Sequence, residues 1–176
     1  MKKLLIAASS VAIMSLFGAA SASAGDFLTA PGEYNVTGAL DLYQTIPGVT
    51  CNVSAKINVD LSGNAAFTNV VFGPGVHPLC GSLIKPLTTT WAIHKISKGI
   101  DTGEISADVQ VQAGSGTCVG NLSPLTVYWG SKGPNRIEST TGSVPGTASG
   151  VPTPCYVSGV LNITPVPPTV GEFRMN

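Results

Sequence analysis

From Val49 to Leu61 the chain alternates without a break: Val49, Cys51, Val53, Ala55, Ile57, Val59 and Leu61 are separated by the polar residues Thr50, Asn52, Ser54, Lys56, Asn58 and Asp60. A period of two is that of a β-strand, whose successive side chains leave on opposite faces, so this segment has one buried face and one wetted face. Cys51 is therefore carried inward. Ile105, Ala107, Val109 and Val111 repeat the pattern against Ser106, Asp108, Gln110 and Gln112, and Leu125, Val127 and Trp129 repeat it against Thr126, Tyr128 and Gly130. Cys155, Val157, Gly159, Leu161 and Ile163 do so against Tyr156, Ser158, Val160, Asn162 and Thr164. Shorter candidate strands lie at 32–43, 65–72, 79–87 and 90–96.

Turn residues punctuate these runs: Pro47-Gly48, Ser62-Gly63-Asn64, Gly73-Pro74-Gly75, Gly114-Ser115-Gly116 and Gly133-Pro134-Asn135. No segment after the N-terminal region has helical periodicity with caps. Short strands at regular spacing with Gly and Pro turns predict an all-β fold, a single antiparallel β-sandwich or partly closed barrel of about seven to nine strands. The stretch 132–154, rich in Gly, Ser, Thr and Pro, is expected to be a flexible loop. Pro165-Val166-Pro167-Pro168 cannot lie in a central strand because proline lacks the N–H that a ladder needs, so the tail is expected to leave the fold. The predicted organisation is one domain over 25–164 and a Pro-rich C-terminal tail over 165–176.

Residues 1–24 have the three parts of an export signal: Lys2 and Lys3, an apolar run from Leu4 to Ala20, and the small residues Ser21-Ala22-Ser23-Ala24, with cleavage expected after Ala24. Ser9, Ser10, Ser15 and Gly18 interrupt the run and argue against a retained anchor. No later segment is long and apolar enough to span a bilayer as a helix, and no cysteine follows the cleavage site to take a lipid. Export implies an oxidising destination outside the cytoplasm, in the periplasm, on the cell surface or in the medium. All four cysteines, Cys51, Cys80, Cys118 and Cys155, lie beyond the signal, and an even number there reads as two disulfides. Three pairings exist. In each half a Cys in or beside a strand is followed by a loop region and then a Pro-rich approach to a second Cys, His77-Pro78-Leu79-Cys80 and Pro152-Thr153-Pro154-Cys155, which favours Cys51 with Cys80 and Cys118 with Cys155. Zinc is disfavoured: no two cysteines have a C-x-x-C spacing, and the histidines stand apart from them.

Without the signal the chain is slightly acidic, and only Lys95 and Lys98 approach a basic patch, so no nucleic-acid partner is expected. Chemistry-bearing residues are sparse. His77 lies in a turn beside Cys80, and His94 lies on the face opposite Trp91 and Ile93, neither with an acidic or nucleophilic neighbour in sequence. Asp60, Asp101, Glu104, Asp108 and Glu138 are scattered over strand edges and turns; a hydrolase built from such distant carboxylates is the least favoured reading. No G-x-S-x-G elbow or phosphate loop is present, and no enzyme activity, metal or cofactor is expected. Trp91 and Trp129 alternate with core residues. Tyr128 projects to the other face beside the 132–154 loop, making Tyr128 and Trp129 the place to look for a ligand surface.

Four cysteine-anchored blocks carry a family resemblance: Val49-Thr50-Cys51-Asn52-Val53-Ser54-Ala55, Leu79-Cys80-Gly81-Ser82-Leu83, Thr117-Cys118-Val119-Gly120-Asn121-Leu122, and Val144-Pro145-Gly146 leading to Pro154-Cys155-Tyr156-Val157-Ser158-Gly159-Val160-Leu161. With these the chain resembles the small secreted pseudomonad proteins of the PraB-like family of protein activators of alkane oxidation. Thr89-Thr90-Trp91 departs from the Leu-Pro-Trp that the family tends to carry. The resemblance implies an exported accessory protein of cells growing on hydrocarbon, with no catalytic residues to carry over. The expected partner is a hydrophobic substrate or a cell-surface component, reached through interfacial or adhesive contact. The alternative is a structural or adhesive subunit of an appendage or matrix, self-associating through exposed strand edges.

Overall fold

The structure is a computed structural model that describes residues 26, 27, 29, 31–44 and 48–176; the expected signal peptide, residues 1–24, lies outside the described residues. Its wall is made of β1 (Gly32–Tyr43), β2 (Val49–Val59), β3 (Ala65–Gly73), β5 (Thr90–Lys98), β6 (Thr102–Ala113), β7 (Gly116–Tyr128), β8 (Arg136–Val144) and β11 (Cys155–Pro165). Each pairs antiparallel with the next, and β11 returns to pair with β1 from Tyr34↔Pro165 to Tyr43↔Tyr156, closing an eight-stranded up-and-down barrel. Of the two architectures open to the sequence, the barrel is realised, and it is fully closed.

Three short strands extend the wall at one end. β4 (Ile84–Pro86) pairs with the end of β6 at Ile84↔Ala113, on the same edge that β5 occupies lower down at Ile93↔Ala107. β9 (Gly146–Ala148) pairs with the start of β7 and with β10 (Val151–Pro152). Both disulfides form in the favoured pairing, Cys51–Cys80 and Cys118–Cys155, and both lie at this end. Cys118–Cys155 ties the starts of β7 and β11 across the bend between β8 and β9. Cys51–Cys80 fastens the start of β2 to α1 (Cys80–Leu83), one helical turn packed against β2, β3 and β4.

Three expectations are corrected. The candidate strand at 79–87 is α1 followed by β4, because the disulfide at Cys80 and the bond from Leu83 N–H to the Leu79 carbonyl wind the first half into a turn. The stretch 132–154 is a 3-10 turn (Gly130–Lys132) followed by β8, β9 and β10. Its inward positions include Ser139 and Gly142, so the apolar alternation that marks the other strands is missing. The tail leaves the wall at Pro165, as proline requires, but then folds back under the barrel. There Phe173 is 0% and Met175 1% exposed, Phe173 stacks on Phe27 at 4.9 Å, and Met175 bridges to Phe27. The driving force is the burial of two large apolar side chains over an otherwise open barrel end.

Candidate functional site

The inward side chains are graded by size along the barrel axis. At the end reached by the tail they are large: Tyr34, Ile57, Ile105, Ile137 and Trp129, roofed by Phe27, Phe173 and Met175, all buried. Asn135 secures this plug, its Nδ2 donating to the carbonyls of Tyr128 (2.8 Å) and Phe173 (2.9 Å) while its Oδ1 accepts the Phe173 N–H at 2.9 Å. At mid-height small residues stand among the large ones: Ala55 on β2, Ala107 on β6, Ser139 on β8 and Gly159 on β11, facing Phe67, Phe72 and Trp91. Gly159 has φ +135°, and a Cβ there would stand 2.4 Å from the Ala39 carbonyl oxygen, so the position admits no larger residue without moving β1. An eight-stranded barrel is just wide enough for side chains to fill it or for one small ligand to enter, and small inward residues decide for space.

That space is present. A cavity of about 200 Å³ occupies the disulfide end, lined by Leu40, Leu42, Val49, Leu83, Val111, Val144 and the Cys118–Cys155 bridge among others. A smaller lobe of about 50 Å³ lies below it, at the level of Ala55, Ala107 and Gly159. Leu40, Phe72, Trp91, Val109, Leu122 and Val157 line both, forming a waist between the two spaces. Leu40, Leu42 and Leu161 point inward by alternation yet are only half-buried, because the inner wall they belong to faces open space. Trp91 meets Phe72 at 6.5 Å, and its indole N–H is buried without a hydrogen-bond partner among the described residues.

The mouth lies where β1, β6 and α1 end and where β2, β7 and β11 begin, at Tyr43, Gln44, Leu83, Gly114 and Tyr156. Gln44 braces one side: its Nε2 lies 2.7 Å from the Thr147 carbonyl, 3.1 Å from that of Thr153 and 3.3 Å from that of Thr117, joining β1 to the β7–β9 corner. Tyr43 and Tyr156 stack at 4.9 Å on the outside of the rim, 49% and 37% exposed. Val76, Leu79 and Val151 add exposed apolar surface at the same end.

Tyr128 and Trp129 stand at the other end of β7, remote from this mouth. The Tyr128 ring lies under the Arg136 guanidinium at 4.0 Å, and Trp129 is buried with its backbone N–H donating to the Asp101 carbonyl. The carboxylates are spread over separate elements, each with its own partners. Asp60 holds the β2–β3 turn, its pKa lowered by the Asn64 side chain first and then by backbone N–H groups. Asp101 is lowered by Ser131, whose hydroxyl and N–H both donate to it. Asp108, on the outer wall, is lowered first by His94 at 2.8 Å and next by Asn121 at 3.1 Å. Glu138 pairs with Arg136 at 3.7 Å. His77 Nδ1 accepts the Leu79 N–H in the loop before α1. Sequence reasoning placed Trp91 in the core but missed the cavity it lines; the clue was the run of small inward residues, Ala55, Ala107 and Gly159, on three separate strands.

The cavity is thus walled chiefly by groups that act by excluding water and by dispersion. No curated protein and no solved structure matches the chain. The family model described as alkane oxidation protein activator PraA/PraB-like matches residues 1–170, nearly the whole chain. The chain therefore belongs to the family of PraA/PraB-like alkane oxidation protein activators.

Proposed function

We propose that this protein is an exported, non-enzymatic accessory factor that promotes growth on alkanes by contacting hydrocarbon outside the cytoplasm. The observation that carries the reading is the apolar cavity opening at the disulfide end of the barrel. Groups such as Leu42, Val49, Val111 and Val144 have no proton to move and no electron pair to offer, so their contribution to hydrocarbon oxidation is to hold or present material that water excludes. The surface agrees: charged residues make up 10% of the chain, against about 25% in ordinary soluble domains. Exposed Tyr43, Leu79, Val151 and Tyr156 at the mouth give an oil–water interface something to adsorb. Two disulfides suit a chain that works where thiols are oxidised.

The test compares wild-type cells with cells lacking the gene, on a long-chain alkane and on a soluble carbon source, with purified mature protein added back to the medium. The expected result is a defect confined to the alkane and relieved by added protein. Equal growth of the two strains on both substrates overturns the reading.

A further inference from the structure

We infer that the barrel interior is a binding site for one linear alkyl chain, which enters end-on at the mouth and passes the Trp91 waist into the lower lobe. The inference draws its biological meaning from the accessory role proposed above, but its geometry stands apart from it. Three observations carry it. The lining is mostly apolar in the upper cavity and almost wholly so in the lower lobe, and at Leu40, Leu42 and Leu161 it is left partly exposed inside the barrel, a state that an apolar occupant relieves. The space is divided into two lobes rather than one round chamber, with six side chains, Trp91 among them, standing between the two and lining both. The lower lobe, about 50 Å³, is about a third of the roughly 150 Å³ that takes one benzene ring, too little for a ring and enough for the end of a polymethylene chain.

The opposite end is stopped by Phe27, Phe173 and Met175, so the occupant has one way in. Its length has an upper limit. The two lobes, about 200 and about 50 Å³, together hold roughly ten carbons, on the scale of a cavity of about 150 Å³ that takes one benzene. Within that limit each added methylene is removed from water, which tightens binding about fourfold per carbon; beyond it, added carbons remain in solvent and the gain stops. Adsorption to the outer surface has no such break. Ser139, the polar side chain of the lower lobe, is already engaged, its Oγ donating to the Val157 carbonyl at 2.7 Å and accepting the Gly142 N–H at 3.2 Å, so nothing at that depth calls for a polar tail end.

The experiment is a titration of the folded, disulfide-intact mature protein with n-alkanes from hexane to hexadecane, followed by methyl NMR. The methyls of Leu40, Val109, Leu122 and Val157 report the waist, and those of Leu61, Val71 and Val119 report the outer surface. The expected result is shifts confined to the waist methyls, with affinity rising about fourfold per carbon and levelling at or before hexadecane. The corresponding 1-alkanols form a second arm: equal affinity at equal chain length places the hydroxyl at the mouth, and either ranking keeps the alkyl site provided the waist methyls shift. Ala107→Leu, which fills the lower lobe, should move the break to shorter chains by two or more carbons. The wild-type series decides the matter even where that variant fails to fold. Shifts confined to the outer methyls, or affinity that climbs through hexadecane without a break, overturn the inference while leaving the growth test of the accessory role untouched. A growth defect absent from the deletion strain sinks that role without touching the binding result.

Discussion

At the scale of single residues, Asn135 ties the closed end together with three hydrogen bonds. Its amide satisfies one carbonyl of β7 and both backbone groups of Phe173, in a place closed to water. Asn135→Ala leaves those groups buried without partners, which costs about 1–3 kcal/mol for each that water fails to reach. The expected outcome is a loss of about 2–5 kcal/mol in urea denaturation, with the midpoint falling and the slope unchanged. Asp60, Asp101 and Asp108 act on stability through pH. All three have pKa values below the ordinary 3.8, because hydrogen bonds from Asn64, Ser131 and His94 favour the charged form. A depressed folded value means that the unfolded chain binds protons first as the medium acidifies, so the contribution is complete above 3.8 and is lost as pH falls through the folded values. Replacing all three with Asn should therefore lower stability at neutral pH, and the gap to wild type should close in acid; a gap of constant size at all pH values contradicts this account.

At the scale of elements, the disulfides hold what the ladder does not. β3 pairs with β5 only from Ala65 to Thr68, and β4 pairs only with β6, so α1 fills the seam near the mouth and Cys51–Cys80 anchors it there. The two bridges span 29 and 37 residues, for which loop-closure entropy gives about 3.5–4 kcal/mol each. Cys118→Ser with Cys155→Ser should lower stability by up to that amount, read as a reduced denaturant midpoint against wild type under oxidising conditions. The elements also show what sequence makes legible. β1 is bounded at both ends by its sequence, and β2, β3 and β11 nearly so, because β1 and β2 present a regular apolar stripe and the single irregularities of β3 at Asn69 and of β11 near Val157 leave enough alternation on either side. β8 was hidden for a physical reason: Ser139 and Gly142 take inward places where Ile or Val would have signalled a strand, and the irregular pairing with β11 near Val157 breaks the period. α1 is one turn long, too short to display a period. The cavity escaped for a different reason, since alternation says which side chains point inward but not which of them meet, and Ala55, Ala107 and Gly159 come to one height only once the barrel has closed.

At the scale of the molecule, closure changes the prospects for self-association. A sheet recruits further copies through unpaired edges, and closure leaves few of them along the long strands among the described residues. Among the described residues, what remains free belongs to β10, of two residues, to β4, of three, and to β3 after Thr68 and β5 after Ile93, the former packed against α1 and the latter carrying Lys95 and Lys98, which blunt an edge. The sedimentation coefficient and the strand signal in infrared spectra should therefore stay constant as concentration rises, and polymers growing in strand content would contradict this. Asp26 and Asn176 meet beneath the plugged end, joined by the Asn176 N–H to the Asp26 carbonyl at 3.1 Å. The described chain thus begins and finishes at its base, like a cup held by its foot. A tether, a tag or a matrix linked to either end would leave the opening turned outward, and on the reading proposed above an occupant would return through the same rim, as in a vessel filled and emptied by exchange rather than a conduit that is threaded.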